Sequence, residues 1–318
     1  MQTRAVSDGT PHGTHETATP VVVLGAVVVV AMLIGGNFTA LKFALDHTGP
    51  MLLAAMRTIL GGTFLVSLAL LRGERLPTDR TVLGRIFVVS LSITTLSSAL
   101  LVFGVSRVPA GFASLMSSTM PLFTACLSVF LLRTTISRLG AIGLIVGFVG
   151  TGVLASPALD GDARLIGVLA LLVSAMAWAF GTVFMKWKDF SAVSPIMLVG
   201  VQLLMSAATL LPFALIVEGA ADTDWSLGLF VPLLYAGIPA NAVTFTLIAT
   251  VVRRATPTQA ASTAYMIPLF GVFFGWLIRD ELLGFAELTG GALIVAGVSI
   301  VVTSGAPGRR TTRVTADG

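Results

Sequence analysis

Ten apolar runs, each about as long as a bilayer is thick, leave this chain few ways to fold. They fall at 21–45, 50–71, 86–106, 109–132, 139–156, 165–185, 195–217, 227–251, 257–278 and 288–304. A helix needs about 17–25 residues to cross a hydrocarbon core, whereas a barrel strand needs roughly ten. Only helices and closed barrels satisfy their backbone polar groups in lipid. The expected fold is therefore an all-α integral membrane protein of ten transmembrane helices. Composition agrees: 55% of the 318 residues are apolar and 11% charged, against about 25% charged in soluble domains. The connections are short, so neighbouring spans should pack as hairpins within the lipid bilayer, with no soluble domain inserted.

The basic residues orient the chain. With a cytoplasmic N-terminus, 14 of the 19 lysines and arginines fall on the inside, among them Arg72, Arg75, Arg80, Arg85, Arg133, Arg138, Lys186 and Lys188. Only Arg107, Arg164 and Arg279 lie in outer loops. The positive-inside rule then predicts both termini in the cytoplasm, with the protein in the cell (plasma) membrane, the cytoplasmic membrane of a bacterium. Residues 1–20 and 305–318 are polar and read as disordered cytoplasmic tails, and the first lacks a signal-peptide pattern. The net charge of +4 does not imply a nucleic-acid partner, because the cations sit in scattered loops rather than on one face. Cys126 is the single cysteine, which excludes an internal disulfide and a cysteine zinc cluster. His12 and His15 share a polar tail and do not imply a metal. No phosphate-cradling Gly-rich loop is followed by Lys-Ser/Thr, and no cofactor is expected.

The two halves repeat. Met120-Pro121-Leu122-Phe123 recurs as Ile267-Pro268-Leu269-Phe270, 147 residues on, as do Gly143 with Gly290 and Gly150 with Gly297. Gly49-Pro50 matches Ser194-Pro195 at a shift of 145, and Lys42 matches Lys186 at 144. Five spans per half is odd, so the second half must run inverted relative to the first. The domains expected are a five-helix repeat over 21–156 and a second over 165–304. Each repeated proline should break its span, since it removes a hydrogen bond and clashes with the carbonyl four residues back. Paired broken helices in two repeats point to a transporter's binding site, and Pro121 and Pro268 are the expected hinges.

Polar residues inside the spans supply the candidate site. Ser114, Ser117 and Ser118 share one face of the fourth span with Pro121. Ser262, Tyr265 and Met266 precede Pro268 in the ninth. Thr94, Thr95, Ser97 and Ser98 lie in the third span, Tyr235, Asn241 and Thr244 in the eighth, and Asn37 and Trp178 in the first and sixth. Such groups either line a solute cavity or join helices, since small hydroxyl residues are common at membrane-helix interfaces. Lys42, Arg57 and Glu281 are gate or structural charges. Arg57, seven residues into its span, is either a structural arginine bonded to carbonyls or an anchor for an anionic substrate group. No Asp, Glu or His lies deep in any span, which disfavours an obligatory proton relay through such a group.

These features resemble the EamA-type members of the drug/metabolite transporter superfamily, over roughly residues 21–304. The similarity rests on Gly36-Asn37-Phe38 followed by Lys42, on Pro50 with Arg57, and on the two Pro-Leu-Phe motifs. The stretch Arg279-Asp280-Glu281-Leu282-Leu283 and the closing glycines of spans five and ten add to it. Thr134-Thr135 stands where the family often has a glutamate comparable to Glu281, and Gln202 stands opposite Arg57. The resemblance implies a ten-span carrier of two inverted repeats, with spans one, three, four, six, eight and nine around a central cavity. The function expected is export of a small-molecule substrate (an amino acid, metabolite or drug-like compound) by alternating access. A non-transporting membrane scaffold or sensor, or a membrane-embedded enzyme, would require a partner-binding domain or an intramembrane catalytic cluster, and the sequence has neither.

Overall fold

The computed structural model describes residues 20–158, 161–244, 247 and 257–304, with side chains described from Gly25 onward except at 158, 163 and 257–265. Every element is helical, and no strand occurs among the described residues. In chain order the helices are α1 (Pro20–Leu45), α2 (Pro50–Leu71), α3 (Arg80–Arg107), α4 (Ala110–Leu132), α5 (Arg138–Ala155), α6 (Asp162–Trp187), α7 (Pro195–Val217), α8 (Leu227–Val243), α9 (Pro257–Arg279) and α10 (Phe285–Ser304). Eight contain stretches long and apolar enough to cross a membrane, and Leu227–Val243 and Met266–Arg279 are shorter apolar helices. The eighth expected span ran to 251, and most of its last turns lie outside the described residues. The third begins six residues earlier than expected, because Asp79 caps it by accepting from the Thr81 and Val82 N–H groups.

Local chemistry sets the remaining ends. α2 and α7 each open on a proline, whose missing N–H is harmless in a first turn. Ser194 caps α7 by accepting from the Met197 N–H at 3.2 Å. Gly49, its counterpart before α2, has no side chain to offer. Glu218, at the end of α7, takes its place and accepts from the Met51 and Leu52 N–H groups at 3.0 Å. A Cβ at Gly49 would overlap that carboxylate. Glu74, 144 residues before Glu218, instead receives the Ser194 hydroxyl. α4 and α9 end alike, on left-handed residues 147 apart, Arg133 at φ 52° and Asp280 at φ 51°. The next N–H in each case closes onto a carbonyl six residues back, Thr134 to Ser128 and Glu281 to Gly275, which satisfies helix-end acceptors.

The helix pairings have a two-fold pattern. α5 packs along α10, and α2 along α7. α1 lies against α9 as α6 lies against α4, and α1 meets α8 as α6 meets α3. Replacing each helix by the one five places on exchanges these pairings among themselves. The α5–α10 contact is close because it is made of glycine: a Cβ on Gly143 would come 2.8 Å from the Gly297 carbonyl oxygen, and one on Gly150 would come 2.6 Å from Leu293 Cβ. The main core, around Leu53, Phe112, Met116 and Leu122, fills the space between the two sets of helices. Large apolar side chains such as Phe130, Ile145, Phe213 and Ile216 cover the outside.

Candidate functional site: a central polar cavity and its vestibule

Among the described residues each set of five helices contains one π-helical turn, Ser90–Leu96 in α3 and Ile238–Val243 in α8, at starts 148 residues apart. A π turn closes i to i+5, so it carries one residue more than an α turn and rotates everything after it by about 100°. In α8 the turn follows from Pro239, and the Thr244 hydroxyl donates back to the Pro239 carbonyl five residues earlier, at 3.1 Å. This turn aims Asn241 at α2. There Arg57 Nη2 donates to Asn241 Oδ1 at 3.1 Å.

That contact forms part of the wall of a cavity of about 200 Å³. α1 contributes Asn37, α6 Trp178, and α4 Ser114, Ser117, Ser118 and Pro121. Arg57 is 6% exposed, and its Nε and Nη1 have no hydrogen-bond partner among the described residues. Asn241 Nδ2 and Asn37 Oδ1 are likewise buried without a partner. Among the described residues, no Asp, Glu or His side chain lines the cavity. Its polar inventory among the described residues is therefore a guanidinium with spare donors, a spare amide donor, a spare amide acceptor and a row of hydroxyls.

Of the expected site residues, the structure brings together Asn37, Arg57, Ser114, Ser117, Ser118, Pro121, Trp178 and Asn241. Thr94 and Ser98 are not on the wall. The π turn in α3 changes the helical phase, so Ser97 lines the cavity, while Thr94 bonds the Ser90 and Gln202 carbonyls. Tyr235 is also off the wall: its hydroxyl donates to the Leu33 carbonyl at 3.0 Å and lies where a side chain on Gly36 would be, tying α8 to α1. Met266 is partly buried outside the lining, which Ile267 supplies instead. The side chains of Ser262 and Tyr265 lie outside the described residues. Thr244, read from the sequence as a polar residue of the eighth span, lines the cavity as well. Ser174 lines it too but was missed in the sequence, where its signal was helical spacing, four residues before Trp178.

The two prolines behave differently. α4 breaks into Ala110–Ser117 and Met120–Leu132 ahead of Pro121. α9, expected to break as well, runs continuously through Pro268. The cause lies in the residues before each proline. Hydroxyl side chains compete for the backbone ladder, and Ser118 donates to the Ser114 carbonyl and Thr119 to the Met116 carbonyl, at 3.1 and 2.8 Å. The four residues before Pro268, Ala264 to Ile267, include no serine or threonine, so the helix absorbs one missing bond, as membrane helices can.

Met120, Pro121 and Trp178 also line a second space of about 810 Å³. This vestibule runs out between Thr134–Ser137, Lys186 and Ser304. The opposite end of the bundle is tied shut. Lys42 Nζ donates to the Val105 and Val108 carbonyls at 2.9 and 2.8 Å, and Glu281 accepts from the Gly111 N–H at 3.2 Å. Arg279 pairs with Asp46 at 2.6 Å, Arg164 with Glu287, and His47 with Asp224 at 2.8 Å. Lys42 and Glu281 thus sit at the closed end, and Arg57 alone of the three expected charges faces the cavity. Among the described residues, no three His, Cys, Asp or Glu side chains gather where they could share a metal ion.

The EamA-like transporter family matches residues 22–156 and 165–303. The chain is 32% identical over 269 residues to the uncharacterized transporter YvbV of Bacillus subtilis, covering 85% of this chain and 88% of the relative. It is 26% identical over 281 residues to the uncharacterized inner membrane transporter YedA of Escherichia coli K12, covering 87% and 89%. A Salmonella typhimurium protein named "Probable amino-acid metabolite efflux pump" is 28% identical over 297 residues, covering 90% and 96%. A solved crystal structure superposes with a TM-score of 0.62 over 88% of this chain and 96% of the other, at 19% identity, a likeness of fold alone.

Proposed function

Because the chain belongs to the EamA-like transporter family, we propose that it is a secondary carrier exporting a small organic solute by alternating access. It is a transporter and a multi-pass protein of the cytoplasmic membrane. The solute class proposed is an amino acid, a related metabolite or a drug-like compound, in keeping with the efflux pump among its relatives. In this reading all ten helices cross the membrane as two inverted five-helix units, 21–156 and 165–304, with both termini in the cytoplasm. The two-fold exchange of helix pairings supports the inversion.

One observation carries the proposal: a polar cavity between the two sets of helices is reached through a vestibule at one end and tied shut at the other. A pore would be open through both ends, whereas a carrier in one of its two states has this form. With the proposed orientation, the vestibule at Lys186 and Ser304 faces the cytoplasm, where an exporter loads. Rocking one unit against the other would close it and release the ties at Lys42 and Arg279. The break ahead of Pro121, at the boundary of cavity and vestibule, is the proposed hinge, with Pro268 the lesser one.

Reconstituted vesicles test this reading. Loaded with an extract of cell metabolites, vesicles containing the protein should lose specific small solutes faster than protein-free vesicles, with saturation. Equal loss from both would refute a carrier. Since no Asp, Glu or His among the described residues lines the cavity, removing a pH gradient alone should leave that flux unchanged.

A further inference from the structure

We propose, resting on the reading of the central cavity as the solute site, that its occupant carries one carboxylate, held by Arg57 and Asn241. The two side chains are already joined, with Arg57 Nη2 on Asn241 Oδ1 at 3.1 Å. That contact fixes which face of the amide points onward. Arg57 Nε, Arg57 Nη1 and Asn241 Nδ2 then remain as buried donors without an acceptor among the described residues. An ionised carboxylate is acceptor-only, with two oxygens that match a guanidinium. Asn37 Oδ1, an acceptor on the α1 wall without a partner among the described residues, receives an N–H or O–H elsewhere on the same solute.

The charge argument is independent of these atoms. A buried arginine in a membrane protein is ordinarily neutralised by a carboxylate or saturated by backbone carbonyls. Here the only partner among the described residues is a neutral amide. Nor can a carboxylate come from elsewhere along the helices that form the wall, where Asp162, exposed at the first position of α6, lies about three turns before Ser174. The sequence has no Asp or Glu from 17 to 45, 47 to 73, 80 to 159, 163 to 188 or 225 to 279. The missing counter-charge is supplied by the solute. Charge restricts it further. One guanidinium balances one negative charge, which selects a monocarboxylate over a doubly charged phosphate ester. Trp178 and Ile34 on the wall leave an apolar surface for the remainder of the molecule.

Asn241→Asp gives the sharpest test. It is nearly isosteric and places a carboxylate against Arg57 in advance, so the fold should gain thermal stability while the anion site is filled from within. The full-length protein in detergent is titrated with lactate, alanine, valine, leucine and phenylalanine, each beside its carboxamide, with chloride and phosphate as controls. At least one carboxylate should raise the wild-type melting temperature, and its amide should bind about a hundredfold more weakly, the order seen when a buried charge loses its partner. Asn241→Asp should raise the basal melting temperature and abolish that response. Arg57→Gln should abolish it, and Arg57→Lys should retain part of it. The proposal is overturned if no carboxylate in the series binds, if the amides or the inorganic anions bind as well as the acids, or if Asn241→Asp still responds. Vesicle flux separates this from the carrier reading. Neutral solutes crossing equally through wild type and Arg57→Gln would leave a carrier without the anion site. Carboxylate binding as described, with no flux of any solute, would leave the anion site without a carrier.

Discussion

Glu218 is the residue whose part is hardest to see in the sequence. It caps α2 from 167 positions away, taking the Met51 and Leu52 N–H groups at 3.0 Å. The trace it leaves is a negative one, since Gly49 offers no cap where the equivalent Ser194 does. Glu218→Ala should therefore lower stability by about 1–2 kcal/mol, the usual worth of an N-cap, seen as a lower melting temperature in detergent. Gly49→Ser alone should also destabilise, because its Cβ would overlap the carboxylate. Combined, the two changes should recover most of the loss, since serine would then cap α2 as Ser194 caps α7. Additive losses in the double variant would show that the capping account is wrong. Arg57 was easier to read: a cation that deep draws attention by itself. The sequence left its partner open, because the α8 π turn decides that Asn241 faces it.

Among helices, existence was legible and phase was not. Apolar length identifies a span because lipid penalises every interruption, whereas the glycines of α5 and α10 marked the repeat without showing that the two helices pair. A π turn leaves hydropathy unchanged yet turns the rest of its helix by about 100°, which is why Ser97 lines the cavity in place of Thr94 and Ser98. The prolines make the same point. Equal motifs gave unequal helices, because Ser117, Ser118 and Thr119 precede one and Ala264 to Ile267 precede the other. Pro121→Ala should hence reduce vesicle flux more than Pro268→Ala at equal expression, by about tenfold, which corresponds to about 1.4 kcal/mol of misalignment. Equal effects would remove the special role of the α4 break. The start of α3 has a pH signature. The Thr81 and then the Val82 N–H groups hold the Asp79 carboxyl below its ordinary value of 3.8. A carboxylate with a lowered folded pKa stabilises above its unfolded value and loses that contribution as pH falls through the folded one. Stability should therefore drop below about pH 4, and Asp79→Asn should flatten that acid limb in a melting series from pH 5 to pH 3.

At the scale of the molecule, the closed end must hold firmly enough to exclude solute yet release on every transport cycle. Its ties have that character. The Arg279 and Asp46 side chains are 23% and 51% exposed, and pairs this open to solvent contribute about 0–1 kcal/mol each. Lys42 and Glu281 hold backbone groups of α3 and α4 rather than each other. A two-state balance resting on weak ties can be moved by one of them, because about 1 kcal/mol changes a population ratio about fivefold. Arg279→Gln should accordingly shift the protein toward the state open at the Asp46 end. The sequence offers a clean means of detection, since Cys126 is its single cysteine and Cys126→Ala gives a background free of thiols. Ser117→Cys in that background places a reporter on the cavity wall. In oriented vesicles, a membrane-impermeant thiol reagent should label this reporter from the Lys186 side in the parent. Adding Arg279→Gln should slow that labelling and speed labelling from the Asp46 side, each by up to about fivefold. If labelling from both sides is unchanged while the protein remains monodisperse, the Arg279–Asp46 pair is not part of the gate.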